Sequence, residues 1–317
     1  MSGTAPSRSR LISAGVGANP ERAASKGAAT VRERYRTNTG SLDLTLHRDA
    51  TRNRTVLAAN EERPPLRVLR AFHRDDGSAL IHLHNVSGGI LGGDHLELHV
   101  ALGPEADAQI TTTGATRIYR CRDGAAPAVQ TTHLTVADGG SLEYLPDPVI
   151  PFAGSRYSQR TRMELGRDSS LFWWETFAPG RDGEHFSYDT LENSAEISVG
   201  GRLCARERWI IAPSQQATSL ATSLVRFAGY RYHSTFYVCH SGPRDWLRFE
   251  AELAELARTL SRPPDVLWGV STLTAHGLVI RGLAANAREI GNGLLAFWKA
   301  GKMLVCGREA IPPRKLY

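Results

Sequence analysis

The sequence predicts a mainly β protein built of many short strands, with two α-helices in its C-terminal third. Three observations carry this. From Leu42 to about Cys239, short segments alternate apolar and polar residues and are separated by Gly, Pro and Asp, the period-two pattern of half-buried strands. A strand–turn–strand unit recurs about every 30 residues: Val100–Ile110, Val136–Tyr144, Leu165–Trp173 and Val199–Cys204 each run from an aliphatic strand end through a Gly-containing turn into a new segment. That period suits the coils of a β-solenoid, and a meander gives similar units. Near the C-terminus, two stretches change to a helical period.

The strands follow in order. Leu80–Val86 alternates, and Leu96, Leu98, Val100 and Leu102 mark the buried side of the next strand. Thr131–Val136 repeats the pattern. In Tyr157–Leu165, Tyr157, Thr161, Met163 and Leu165 share one side, while Arg160, Arg162 and Glu164 share the other. Phe236–His240 closes the series. Arg244–Leu260 then places Leu247, Ala251, Ala254 and Leu256 at helical spacing among Glu250, Glu252 and Glu255, and Arg262-Pro263-Pro264 stops it. Ala284–Val305 carries the stripe Ile290, Leu294, Leu295 and Trp298, interrupted by Gly291 and Gly293. With Phe297, Trp298 makes this second helix a candidate docking face.

Charge excludes one function class. The net charge of +6 is mostly a property of residues 1–36, where Arg8, Arg10, Arg22, Lys26, Arg32, Arg34 and Arg36 oppose only Glu21 and Glu33. The body is nearly neutral, so nucleic acid is not an expected partner. Residues 1–36, rich in Ala, Gly, Ser and Arg, read as a disordered basic tail, and 37–317 as one domain. No run of about 18 apolar residues suggests a membrane span. Cys121, Cys204, Cys239 and Cys306 are scattered, without a C-x-x-C pair. This fits reduced thiols in the cytoplasm rather than a disulfide framework or a structural zinc site.

Enzymatic signatures are absent. Gly88-Gly89-Ile90-Leu91-Gly92-Gly93-Asp94 lacks the G-x-G turn of a dinucleotide site, and no Lys-Ser/Thr follows to make a P-loop. Its paired glycines fit a backbone that takes positive φ and approaches a neighbour closely. Glu143 and Asp147 could form an acid/base pair, but Asp147 lies between Pro146 and Pro148, where a turn role is expected. A β-solenoid hydrolase using Asp94, Glu143 or Glu175 is the rival enzymatic reading. Among metal ligands, His82 and His84 share one strand face, His95 and His99 another, and Cys239-His240 forms a mixed soft pair. No three converge by spacing, so His82, His84 and His240 are weak candidates and no tightly bound metal is expected.

Three blocks, in this order and spacing, carry a resemblance: Gly88–Asp94, then Thr111–Arg120, then Glu143–Phe152 with its Pro146-Asp147-Pro148. Gly40–Leu44, Gly180-Arg181 with Gly183-Glu184, Gly277–Arg281, Leu295–Trp298 and Pro313-Arg314 extend it. Together they resemble the urease accessory protein UreD family, called UreH in some organisms. The segment Gly180–Glu184 is shorter than the family usually shows, and the chain closes on Lys315-Leu316-Tyr317 without a tryptophan. The resemblance implies a β-helical body with two helices and no enzymatic activity. It implies a scaffold that binds apo-urease and UreF, which recruits the GTPase UreG. Ni2+ would be transient cargo passing through an internal channel, with no permanent cofactor. Asp94, Thr116 and Glu175 are the channel candidates the resemblance places there. Glu175 is the most pointed of them, because a carboxylate inside the apolar run Leu171–Phe177 is costly to bury unless it meets water, a partner or a cation.

One prediction follows from composition alone. Deleting residues 1–36 should leave the thermal midpoint of the body unchanged within error, measured by circular dichroism. A loss of several degrees would show that the tail docks on the domain.

Overall fold

The computed structural model describes residues 38–213 and 227–313. The basic segment 1–36 and the closing Arg314–Tyr317 lie outside the described residues. In chain order the strands are β1 (Thr39–Asp49), β2 (Arg54–Arg63), β3 (Leu66–His73), β4 (Ala79–Asn85), β5 (His95–Leu102) and β6 (Asp107–Thr112). There follow β7 (Thr116–Ile118), β8 (Ala128–Val136), β9 (Ser141–Tyr144), β10 (Val149–Pro151), β11 (Arg156–Leu165) and β12 (Ser170–Phe177). The last are β13 (Thr190–Val199), β14 (Arg202–Ile211), β15 (Tyr232–His240), β16 (Val266–Thr272) and β17 (Gly277–Ala284), with helices α1 (Trp246–Leu260) and α2 (Ala287–Cys306). The described chain is mainly β with two helices, as the periodicities predict.

Two sheets organise these strands. The first runs β14-β13-β11-β8-β5-β1-β2 and the second β16-β17-β15-β12-β9-β6-β4-β3, with β10 joining β12 and β7 joining β10. From β4 to β13 the longer strands fall alternately in the two sheets. Within each sheet they pair in parallel: β1, β5, β8, β11 and β13 in the first, β4, β6, β9 and β12 in the second. Three of the recurring turn units lie one above another, since Glu105 N–H donates to the Asp138 carbonyl and Gly139 N–H to that of Arg167. The fourth unit departs. Gly200 and Gly201, both at positive φ, fold β13 back on β14 as an antiparallel hairpin of the same sheet, because two consecutive left-handed residues make a tight turn rather than a crossing.

Parallel pairing places like positions in rows. Leu44, Val100, Leu134, Met163 and Ile197 form one inward row of the first sheet. Ile81, Ile110, Tyr144, Trp173, Tyr237 and Val279 form one of the second. The two rows belong to one buried cluster between the sheets. Each such aliphatic or aromatic side chain gains about 1.5–3 kcal/mol on leaving water.

Both helices cover the outer face of the second sheet, in a second core with Phe172, Trp174, Phe236 and Val238. Asp245 caps α1 by accepting from the Arg248 amide, and Asn286 caps α2 through the Glu289 amide. The buried stripes differ from those expected. In α1 it is Phe249, Leu253 and Ala257, while Leu247 is 75% exposed: the aromatic ring, not the leucine, meets the sheet. In α2, Leu295 points outward and Phe297 and Trp298 are fully buried. Phe297 packs on Trp268 and Trp298 on Trp174. The expected docking face is therefore corrected. These two side chains are spent on the chain's own core and offer no surface to a partner.

The glycines that interrupt α2 have opposite roles. A Cβ at Gly293 would collide with the Trp268 indole, which also leaves no room for one at Gly282; at Gly291 a Cβ would meet open space. Gly293 is thus a seat for a tryptophan. Gly291→Ala should stabilise the protein by about 0.5–1 kcal/mol through helix propensity. Gly293→Ala should destabilise it by about 1–3 kcal/mol through overpacking. Urea unfolding of the two variants checks the opposed signs.

Candidate functional site

The three sequence blocks lie on one another. Ile90 bridges Ile118 in parallel, Thr116–Ile118 pairs with Val149–Pro151, and Val149 pairs with Phe177. Amide-to-carbonyl bonds join them, from Ile90 to Arg117, from Thr116 to Pro148, and from Ala178 to Val149. The motifs are successive passes of the chain along one rim of the sheets. The glycines serve this stacking. A side chain at Gly89 would strike the Tyr119 ring and the Arg117 carbonyl, and Gly93 turns the chain at φ 88°. Gly88 also holds positive φ, and a Cβ at Gly92 would meet Cys121.

Beneath this rim is a cavity of about 280 Å3 between the sheets. Thr112–Arg117, Gly88, Gly89, His84 and Asp147 line its rim side, and Gln130, Thr132, Gln159, Thr161, Tyr144, Trp173 and Glu175 its floor. Of the three channel candidates, Thr116 and Glu175 share this space and Asp94 does not.

Glu175 sits on β12 with 3% of its surface exposed. Gln159 Nε2 donates to its Oε2 at 3.0 Å, and Asn193 Nδ2 donates to its Oε1. Gln159 and Asn193 are directly opposed on β11 and β13, so the facing sheet presents two amides to one carboxyl. Tyr157 extends the network, donating to Gln159 Oε1 at 3.2 Å and lying 3.3 Å from Gln130 Oε1. Burial raises the Glu175 pKa to about 8, helped by the Glu207 carboxylate and opposed by the two amides. At neutral pH the group is mostly a neutral acid, which an entering cation would ionise. Behind it, Trp173 stacks on Tyr237 at 5.1 Å, and Tyr237 and Arg281 both donate to Glu207. The lining is hydroxyl, amide and carbonyl oxygen with the carboxyls of Glu175 and Asp147, one imidazole and the Arg117 guanidinium, a mostly oxygen donor set that holds a divalent cation loosely.

The other candidates fall elsewhere. Asp94 is 1% exposed, and its two oxygens accept the Asn38 and Leu91 amides at 2.8 and 2.9 Å. It staples the glycine turn and is not part of the cavity lining. Glu143 faces α2, bound to Lys302 Nζ at 2.6 Å and to Gln109. Asp94, Glu143 and Glu175, the three carboxylates of the hydrolase reading, thus occupy separate environments and are not paired with one another. Asp147 exchanges hydrogen bonds with Thr112 in both directions, tying the third block to the end of β6 instead of forming the expected turn, and the Pro146 carbonyl accepts from the Trp174 indole at 2.9 Å. Pro148 supplies the carbonyl that holds Thr116.

Gly180, Arg181, Gly183 and Glu184 form a clasp. Gly180 and Gly183 take positive φ, Arg181 meets Glu184 at 2.6 Å and lies over the Phe152 ring, and Glu184 accepts the Ala153 amide. Arg181 and Glu184 therefore hold the end of the third block.

His84 borders the cavity and, with His82, a smaller one of about 160 Å3. His240 bonds Ser170 Oγ at 3.0 Å on another part of the second sheet, and burial pushes its pKa down to about 4. Cys239 points into the core between the sheets. Adjacent strand residues face opposite sides, so Cys239 and His240 are not a joint ligand pair. Among the described residues, no three His, Cys, Asp or Glu side chains are assembled around a metal position.

Sequence reasoning missed Gln159 and Asn193. The signal was present: Gln159 has the inward parity of Tyr157, Thr161 and Met163, and a polar residue on that side marks a buried partner.

The Glu175 environment sets a pH dependence. Its carboxyl releases its proton near 4.5 in the unfolded chain and near 8 in the folded one, so the folded state binds more protons in between. Stability should fall as pH rises through that window, by up to about 1.4 kcal/mol per pH unit from this group. Glu175→Gln should flatten that slope in thermal midpoints recorded from about pH 5 to about pH 8.

The family model described as UreD urease accessory protein matches residues 38–316. A urease accessory protein UreD of Herpetosiphon aurantiacus is 42% identical over 281 residues, covering 87% of this chain and 95% of the relative. One from Pseudomonas aeruginosa is 34% identical over 84% of this chain and 89% of its own length. One from Pseudomonas fluorescens is 33% identical over 79% and 85%. With the glycine turn, the stacked blocks and the clasp all inside the matched region, this chain belongs to the UreD family of urease accessory proteins.

Proposed function

We propose that this protein is a maturation factor for urease: a non-enzymatic scaffold in the cytoplasm that binds apo-urease and a UreF homologue, with the GTPase UreG recruited through UreF. Its alternating parallel strands act as a β-solenoid-like frame, and the cavity at Thr116 and Glu175 is a section of the route by which Ni2+ reaches the urease active site. The observation that supports the role most directly is the family match across the whole described body. Glu175 supports the route. Nickel is cargo here, so a loose set of oxygen donors serves transfer better than a closed site that would keep it. Free energy for release comes from the GTPase, and this chain contributes surfaces and a polar passage.

The neutral acid at Glu175 gives the route a chemical logic. A divalent cation entering the cavity exchanges with the carboxyl proton, binds, and leaves when the proton returns, while Gln159 and Asn193 keep the carboxyl aimed between the sheets.

Co-expression with urease and the partner proteins at limiting nickel tests this. Glu175→Gln keeps the shape of the side chain and should lower urease activity and nickel content by about tenfold or more, with co-purification of the partners unchanged. Full activation would remove Glu175 from the route; loss of co-purification would assign it a structural role.

A further inference from the structure

The outer face of the first sheet carries a second constellation. Parallel register sets Asp43 of β1, His99 of β5 and His133 of β8 side by side, with Arg162 of β11 next in the row. Their neighbours Leu42, Leu98 and Thr132 line the internal cavity, so alternation places this row on the opposite side of the sheet. His99 Nδ1 lies 2.9 Å from Asp43 Oδ1, with the two side chains 47% and 45% exposed. The His99 and His133 rings stand 5.1 Å apart, nearly perpendicular.

We propose that Asp43, His99 and His133 form a surface site for one divalent transition cation of the kind that prefers imidazole nitrogen. Asp43 sits at His99 Nδ1, which orients the ring and leaves Nε2 as the nitrogen for a metal; a carboxylate behind a histidine is the usual support of a metal-ligating imidazole. Partial burial, then His99 and Arg162, hold His133 below its ordinary pKa against the opposing pull of Glu97. Two imidazoles bound at about 2.1 Å to one tetrahedral ion have ring centres about 5 Å apart, the spacing found here.

The surroundings leave room for the remaining ligands. The rings border a shallow recess whose other walls include Thr45, Ala101 and Thr135. These small side chains admit water to complete the coordination. Arg162 stands next to His133 in this row, and its guanidinium is turned to Glu196 at 3.5 Å. With two protein nitrogens and an open remainder, the site is labile and selects against magnesium and calcium, which demand oxygen. It stands apart from Glu175 and does not depend on the cavity route.

Titration of the full chain, free of any histidine tag, with Ni2+ and Zn2+ alone tests the site by calorimetry. A class of binding should weaken at least about tenfold in His99→Ala and in His133→Ala and by a smaller factor in Asp43→Asn, with metal-free thermal midpoints unchanged and no heat from Mg2+. Zn2+ should protect both rings from diethyl pyrocarbonate, mapped by mass spectrometry. Identical curves for wild type and both histidine variants, or modification of both rings at saturating Zn2+, overturns the site. Loss of the same binding class in Glu175→Gln, with the histidine variants unaffected, would place the metal in the cavity and overturn it equally.

Discussion

Parallel hydrogen bonding between strands that are neighbours in a sheet but far apart in sequence is the constraint on which the rest of this molecule depends. It fixes β5 on β8 and β8 on β11 with no register shift. Every inward position is therefore repeated by its counterpart in the next pass. A one-residue slip anywhere would turn Leu98, Val100 and Leu102 to solvent and carry His99 into the core. Burial of those rows enforces the register, and the register in turn places every functional side chain.

The same register creates the polar exception. At the rim end of the first sheet, the inward row changes from aliphatic residues to Gln130, Gln159 and Asn193. Opposite them the second sheet presents Glu175. A lone carboxyl between two sheets would cost several kcal/mol as a charge; amide donors and a retained proton make it tolerable. The cavity is lined by Gln130, Gln159 and Glu175 of this polar layer.

A second buried charge has a different purpose. Lys302 of α2 reaches through the outer core to Glu143 of β9, both nearly inaccessible, and Gln109 completes the shell. Arg308 adds a bond to Asp107 just beyond the helix. These pairs fix where α2 lies along the second sheet, while the apolar contacts of Phe297 and Trp298 supply the area. Breaking one member of such a buried pair leaves an uncompensated charge, which makes the position specific rather than merely sticky.

The sequence by itself determined the strand and helix content, the repeated turn units, the close-packed glycine turn and the family. All of these rest on local periodicity, on residues with unusual backbone freedom and on ordered motifs. It also singled out Glu175, because a carboxyl in an apolar strand is anomalous without any knowledge of its neighbours. Tertiary structure decided the rest. It separated Asp94, whose oxygens are consumed by two backbone amides, from Glu175 and Thr116, which share a cavity. It sent Glu143 to a helix, put Cys239 and His240 on opposite faces, and spent Phe297 and Trp298 on the core. It joined Gln159 to Asn193 and His99 to His133 across intervals that no local pattern spans. The physical reason is that a residue's chemistry is local, whereas its partners are chosen by long-range strand pairing.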